Sequence, residues 1–259
     1  MTAPLFHLTP DALQEAAVGQ TVVLDGAEGH HAATVMRLGV GEQVLLSDTR
    51  TRRVAGVVVE TGSGALTVEV REVHDESEPL PRLVLVQALA KDRRDLQAVE
   101  SATELGVHAV IPWQAERSVA RWKQGREAKK HAEWVNIAVT AAKQTRRTSI
   151  PDVRSLHTTA QYAAAVREDS RVVVITLHEV ETTSFRKAVE QAAAQEGIHE
   201  LHLVVGPEGG ISERELGLLR EAGASSARLG PNVLRSSTAG PAALATAQLL
   251  LGRWDSGVN

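Results

Sequence analysis

The first third of the chain alternates short, β-rich apolar runs with turn signals. Thr21–Leu24, Gln43–Ser47, Val54–Val59 and Leu66–Val73 are the runs, and Gly39, Gly41, Gly62 and Gly64 stand between them. Short strands at this spacing predict a small antiparallel barrel or sandwich. His74–Arg82 is polar, carries Pro79 and Pro81, and reads as a linker.

Beyond it the rhythm changes to apolar strands alternating with helical patterns, which predicts a mostly parallel sheet covered by helices. The strands expected are Leu83–Gln87, Ala109–Pro112, Arg171–Thr176, Leu201–Val205 and Ala227–Leu229. Val172-Val173-Val174-Ile175 lacks polar alternation, as a strand covered on both faces should. Asp95–Leu105 places Leu96, Val99 and Thr103 on one helical face and stops at Gly106, while Glu127–Gln144 predicts a second long helix. Ser212-Glu213-Arg214-Glu215 is a capping box that opens a helix directly after Gly206-Pro207-Glu208-Gly209-Gly210. A last helix is expected to begin near Pro241 and run to Leu251, with proline in the first turn where its missing N–H does no harm.

Composition changes this picture little. The chain of 259 residues is 43% hydrophobic and 23% charged, ordinary for a soluble globular protein. Aromatic residues are scarce, so Val, Leu and Ala must fill the interior. Absence of Cys excludes disulfides, thiolate zinc sites and a cysteine nucleophile, and fits a reducing compartment. No basic segment leads into an apolar stretch at the N-terminus, and the run Ala242–Leu251 is too short to span a bilayer, so a cytoplasmic protein with no membrane partner is expected.

Charge is more informative in its distribution than in its total. The formal net charge of −4 argues against a uniformly basic coat. Yet Arg117, Arg121, Lys123, Arg126, Lys129, Lys130, Lys143, Arg146, Arg147 and Arg154 face only Glu127, Glu133 and Asp152 in one segment. Such a run is either a solvated helix face or a phosphate-binding surface.

Two loops stand where open α/β sheets bind ligands, after strand ends. Gly206–Gly210 permits positive φ and close backbone approach ahead of a helix N-terminus; without a ligand it is simply a tight turn. It is neither a Walker A loop nor a Gly-x-Gly-x-x-Gly loop, which disfavours a mononucleotide kinase and a dinucleotide-dependent dehydrogenase. Leu229-Gly230-Pro231-Asn232-Val233-Leu234-Arg235-Ser236-Ser237-Thr238-Ala239-Gly240 offers backbone polar groups, small hydroxyls and one cation. Taken alone, Arg235 could be a surface or helix-capping cation.

Together these two loops resemble the RsmE-type methyltransferases of the SPOUT superfamily. The resemblance runs nearly end to end: His30-His31 with Val35-Met36-Arg37-Leu38 and Gly41, Glu104-Leu105-Gly106 with Pro112 and Arg117-Ser118, and Ala141-Ala142-Lys143-Gln144-Thr145-Arg146-Arg147 with Pro151 are similar to further motifs of the family. Lys143 and Ser237 stand where many members carry Glu, and the usual early Arg is not evident in Pro4-Leu5-Phe6-His7.

The resemblance implies a PUA-like RNA-binding barrel over residues 1–76 and an α/β SPOUT methyltransferase domain over 77–259, its C-terminal chain threading a trefoil knot. It implies a homodimer that methylates N3 of a uridine in the 16S ribosomal RNA of the small subunit. S-adenosylmethionine is the cofactor implied, held by Thr176, Leu177, His178, Gly206, Glu208, Gly209, Gly210, Leu229, Gly230, Val233, Leu234, Ser236 and Thr238. Arg37, Lys91, Arg94, Arg117, Arg126, Lys129, Lys130, Gln144 and Arg147 are expected to face RNA.

Arg235 is the catalytic candidate, because a guanidinium can stabilise the developing imidate yet cannot serve as a base. Proton removal falls to water, a phosphate or a carboxylate such as Glu208. No metal is expected; His30-His31 lacks the spacing of a helical zinc pair. Two readings compete: a SPOUT enzyme acting on a ribose 2′-hydroxyl or a transfer-RNA base, and an RNA-binding protein without turnover.

Overall fold

The computed structural model describes residues 3–255 and divides the chain into two compact units. The first comprises residues 1–78 and 142–150. Its strands are β1 (Leu5–His7), β2 (Thr21–Leu24), β3 (Gln43–Ser47), β4 (Arg52–Gly62) and β5 (Ala65–Asp75), in the order β1-β3-β4-β5-β2, with a short helix α1 (Gly26–His30) between β2 and β3. Leu66, Val68 and Val70 of β5 are buried while the residues between them are not, the period of two expected of a one-sided sheet. With Phe6, Leu13, Leu24, Leu46, Val54 and Val58 they form the unit's core.

Two features of this unit depart from expectation. β1, too short to announce itself in the sequence, pairs parallel with β3 in an otherwise antiparallel sheet. Residues 142–150, expected within an unbroken 77–259 domain, belong here instead, and polar contacts fix them. Ser47 Oγ donates to the Thr148 carbonyl at 2.5 Å, Ile150 N donates to the Thr49 carbonyl at 3.0 Å, and Lys143 Nζ meets both Glu28 carboxylate oxygens at 2.7 and 2.9 Å. Lys143 therefore has a carboxylate partner within this chain.

The second unit is a fully parallel seven-stranded sheet. Its strands are β6 (Arg82–Ala88), β7 (Ala109–Gln114), β8 (Asp152–Val153), β9 (His157–Thr158), β10 (Val172–Leu177), β11 (Glu200–Val205) and β12 (Ser225–Ala227). The order is β12-β10-β11-β6-β7-β8, with β9 also on β7. Successive residues of one strand serve opposite cores: Leu83 and Leu85 lie in one cluster, Val84 and Val86 in another. Helices α2 (Arg94–Glu104), α3 (Glu127–Gln144), α5 (Phe185–Ala193) and α7 (Ser236–Leu250) contribute to the first, α4 (Thr159–Arg167) and α6 (Glu213–Glu221) to the second. The last turn of α3 is counted with the first unit.

The capping box forms as expected: Ser212 Oγ accepts from Glu215 N, and the Glu215 carboxylate accepts from Ser212 N, both at 3.2 Å. Two boundaries were misplaced by sequence reasoning. The last strand is Ser225–Ala227, not Ala227–Leu229, and α7 starts at Ser236, not near Pro241. Proline is tolerated inside α7 because it removes a single bond, to the Ser237 carbonyl, while Arg235 O anchors the first turn by accepting from Thr238 N at 2.8 Å and Ala239 N at 2.9 Å. Tight seating helps: a Cβ at Gly240 would lie 2.9 Å from Leu85 Cδ1.

Candidate active site

Because all the strands of the second unit run parallel, the ends of β10, β11 and β12 open on the same side. There the loops Leu177–Val180, Val205–Ile211 and Arg228–Ser236 surround a cavity of about 610 Å³, in the range of small-molecule sites. Eleven of the thirteen residues expected to hold the cofactor line it: Leu177, His178, Gly206, Glu208, Gly209, Gly210, Leu229, Gly230, Val233, Leu234 and Ser236, as does Arg235.

Thr176 and Thr238 do not line the cavity. Thr176 is buried in β10 behind it, with a hydroxyl that has no partner among the described residues, and Thr238 is exposed on the first turn of α7. Wall residues that sequence reasoning missed include Glu179, Val180, Glu213 and Arg228. Glu179, Val180 and Arg228 flank motifs that were recognised, so extending each loop by one or two residues would have found them.

The glycine-rich loop is shaped by the protein as much as by any ligand. Gly210 is left-handed at φ +73°, and its N–H closes a turn on the Pro207 carbonyl at 2.9 Å. A Cβ at Gly206 would fall 2.7 Å from Ile211 Cγ1. At Gly209 it would meet Arg117, at 3.1 Å from Cβ and 3.3 Å from the carbonyl oxygen. The close approach expected between Gly209 and a ligand is thus an approach to Arg117, whose Nη1 also donates to Gly209 O at 3.2 Å.

Arg117 and Arg94, expected to face RNA, both line the cavity. Arg94 Nη1 stands 3.3 Å from Glu208 Oε1. Glu208, the carboxylate named as a possible proton acceptor, is therefore already engaged. Arg235 differs: it is exposed on the cavity wall, precedes α7 as its N-cap residue at φ −64° and ψ 150°, and has no ion-pair partner among the described residues.

The remaining cations expected to face RNA are dispersed. Lys91 is exposed in the loop after β6, beside Asp92 and Arg93, both left-handed at φ +55° and +59°. Arg126 and Lys129 are exposed at the start of α3; Lys130 there pairs with Glu133 at 2.8 Å. In the first unit Arg37 is exposed with φ +56°, and Gln144 is exposed. Arg147 is half-buried and donates to Ser149 Oγ at 3.1 Å. Burial pushes its guanidinium down to about 10 despite the nearby Glu76 carboxylate. Among the described residues no cluster of three His, Asp or Glu side chains could hold a metal ion.

A protein of Mycobacterium bovis named ribosomal RNA small subunit methyltransferase E is 42% identical over 261 residues, covering 100% of this chain and 96% of that one. The chain belongs to the ribosomal RNA small subunit methyltransferase E family. The Bacillus subtilis protein of the same name is 30% identical, with 90% of each chain covered. A family model described as an RNA methyltransferase domain matches residues 76–248, and one described as an RNA methyltransferase PUA domain matches residues 24–71. Among solved structures, the family's Neisseria gonorrhoeae member bound to S-adenosyl methionine is 25% identical with a TM-score of 0.79, over 96% of this chain and 98% of that one. A Legionella pneumophila protein described as a methyltransferase, also with bound cofactor, is 27% identical with a TM-score of 0.78, over the same shares. The chain is accordingly an RNA methyltransferase.

Proposed function

We propose that this chain transfers the methyl group of S-adenosylmethionine to N3 of a uracil in the 16S ribosomal RNA of the small subunit. The observation that carries the reading is Arg235, a cation with no carboxylate partner among the described residues, on the wall of a cavity built from three strand-end loops. The cavity suits the cofactor. Leu177, Leu229, Leu234 and Ala239 give apolar surface for an adenine, and the loops offer backbone polar groups. The buried His178 Nδ1, on a wall residue, has no partner within the described residues. An unsatisfied buried polar atom beside a cavity is most simply explained by a ligand that completes it.

When bound, S-adenosylmethionine supplies an electrophilic methyl on its sulfonium. The chain's own contribution is position and charge. Neutral uracil N3 has no available lone pair, so its imide proton must leave, and the charge that develops spreads onto the flanking carbonyl oxygens. Arg235 donates charge-assisted hydrogen bonds to that edge and stays protonated. Holding both reactants in one cavity lowers the barrier further by alignment alone. With Glu208 paired to Arg94, the carboxylates left on the wall are Glu179 and Glu213.

In the same reading the first unit binds RNA through Arg37, and Lys91, Arg126, Lys129 and Lys130 contact phosphates. The C-terminal chain is knotted, and the protein acts as a homodimer in the cytoplasm. No described helix is long and apolar enough to cross a membrane. Leu249 and Trp254, apolar yet 55% and 46% exposed at the end of α7, offer a contact to a second copy, which sedimentation would test. The reading as a whole is tested by mass spectrometry of ribosomal RNA nucleosides from cells with and without the gene. Loss of 3-methyluridine alone is expected; loss of a ribose-methylated nucleoside instead would overturn the assignment.

A further inference from the structure

Gln87 sits near the end of β6, wholly buried beneath the first turn of α7. Its Nε2 donates to Ser236 Oγ at 2.8 Å and to the Ala88 carbonyl at 3.2 Å. The amide cannot be turned round, because a flipped amide would set its oxygen against the Ala88 carbonyl, two acceptors with no proton between them. Both Nε2 protons are therefore committed, and Ser236 Oγ is an acceptor in this pair.

Ser236 keeps one proton of its own. It lines the cavity next to Arg235 and is only 6% exposed. The cost of the arrangement is visible: Gln87 Oε1 is buried with no partner among the described residues. A Leu or Met would fill the same volume without an orphaned acceptor, so packing alone does not account for a glutamine here.

We propose that Gln87 fixes Ser236 as a hydrogen-bond donor into the cavity, and that Ser236 and Arg235 together read a carbonyl oxygen of the base being methylated. The proposal rests on the reading of that base as uracil. The guanidinium of Arg235 presents only protons, and the Ser236 hydroxyl, with one lone pair already taken by Gln87, keeps its proton for an acceptor. Uracil offers O4, an acceptor, where cytosine offers an amino group, a donor. Cytosine in the same pose would set donor against donor and leave buried groups unpaired, the arrangement by which polar sites discriminate most strongly. Ser236, assigned to the cofactor on the sequence alone, is in this proposal turned to the base instead as a specificity-determining residue, and Gln87 is a positioning residue that acts through it.

The test uses small ribosomal subunits reconstituted with uridine or cytidine at the target position. Single-turnover methylation is followed with wild type, Ser236→Ala, Ser236→Thr, Gln87→Met and the double variant Gln87→Met/Ser236→Ala, and cofactor affinity is measured separately by calorimetry. Loss of one hydrogen bond should slow uridine methylation roughly tenfold in Ser236→Ala and Gln87→Met and narrow the uridine-over-cytidine ratio, with cofactor affinity unchanged. Ser236→Thr keeps the hydroxyl and should recover the ratio. The double variant should be no slower than Ser236→Ala, because both changes remove one interaction.

Unchanged rate and ratio in Ser236→Ala would overturn the proposal. So would a loss confined to cofactor affinity, which would make Ser236 a cofactor contact, or a double variant whose losses multiply. Ser236→Ala carries the test even if Gln87→Met fails to fold. If wild type yields a product other than methyluracil, the substrate reading itself has failed; methyluracil with an indifferent Ser236 sinks this proposal alone.

Discussion

The two ends of the parallel sheet treat polar groups in opposite ways. At the N-terminal end, Tyr162 Oη donates to His202 Nδ1 at 2.8 Å, and His202 Nε2 donates to Glu200 at 2.8 Å. Glu200 in turn accepts from Arg154, with Nη1 at 2.9 Å. Every group in this chain has a partner, and Tyr162 and His202 are almost fully buried. At the C-terminal end, Thr176 Oγ1, His178 Nδ1 and Gln87 Oε1 are buried without partners among the described residues, and Arg235 has no carboxylate partner among them. A satisfied network holds a fold in one arrangement, whereas unsatisfied groups around a cavity await something else. Stability and chemistry are thus separable along the strands, and variants at either end should fail differently.

The largest effect is expected at the cavity. Arg235→Ala should reduce turnover about 10²- to 10³-fold, the usual consequence of removing a donor to developing charge. The midpoint of urea unfolding should not move, because Arg235 is exposed. Cofactor affinity by calorimetry should stay within about twofold, a change of less than 0.5 kcal/mol. A variant that loses stability along with turnover would break the contrast between the two ends.

The opposite pattern is expected of Glu200→Ala, which strands His202 and leaves Arg154 only the Asp152 carboxylate at 3.6 Å, and should cost about 2 to 3 kcal/mol of unfolding free energy with little change in turnover of the folded enzyme. Acid should act in the same direction. Burial tends to push the Glu200 carboxyl up, but the hydrogen bonds from His202 and Arg154 outweigh it and hold the group well below the ordinary range. Burial lowers the His202 imidazole despite Glu200. Both groups therefore have folded-state values below their unfolded ones. Each contributes stability that is present above its unfolded value, 6.5 for His and 4.5 for Glu, and lost as pH falls through the folded one. Urea midpoints should fall from neutral pH toward pH 4 in wild type; in Glu200→Ala the loss that begins below pH 4.5 should disappear, while the loss between pH 6.5 and 4.5 should persist and deepen, because His202 loses the carboxylate that raises it. A flat wild-type profile would count against the network.

A third prediction separates RNA affinity from chemistry. Replacing Arg126, Lys129 and Lys130 with Ala should weaken RNA binding and reduce the slope of log affinity against log salt by about 2 to 3, while the rate at saturating RNA changes little. The smallest contrast lies within the loops. Gly206→Ala drives a Cβ into Ile211, whereas Gly230→Ala meets nothing within 4 Å and should change unfolding free energy by less than about 0.5 kcal/mol. Equal losses at both positions, read by thermal melting, would show that the loop geometry is wrong.

What could be read from the chain followed the physics of local pattern. β6, β7, β10 and β11 were legible because strands buried on both faces are uninterrupted apolar runs, and α3 and the capping box of α6 carry their own signals. β12 was misplaced because Ser225-Ser226-Ala227 is polar and small, held in the sheet only by pairing with β10. The start of α7 was misplaced because Ser236-Ser237-Thr238 reads as loop, while anchoring by Arg235 O and packing against β6 make it helix. The association of 142–150 with the first unit rests on contacts such as His7 to the Arg147 carbonyl at 3.1 Å, which no local pattern encodes. The cavity wall was largely legible through its two loops. Gln87 was not, since a single polar residue in an apolar strand gives no sign of what lies above it.

The most direct test of the account is the product formed in vitro. Purified small subunits lacking the modification are incubated with S-adenosylmethionine and either wild type or Arg235→Ala, and the ribosomal RNA is digested to nucleosides for mass spectrometry. The account predicts 3-methyluridine with wild type and at most about one hundredth of its initial rate with Arg235→Ala. Full activity in Arg235→Ala, or a methyl group on ribose in place of uracil N3, would contradict it.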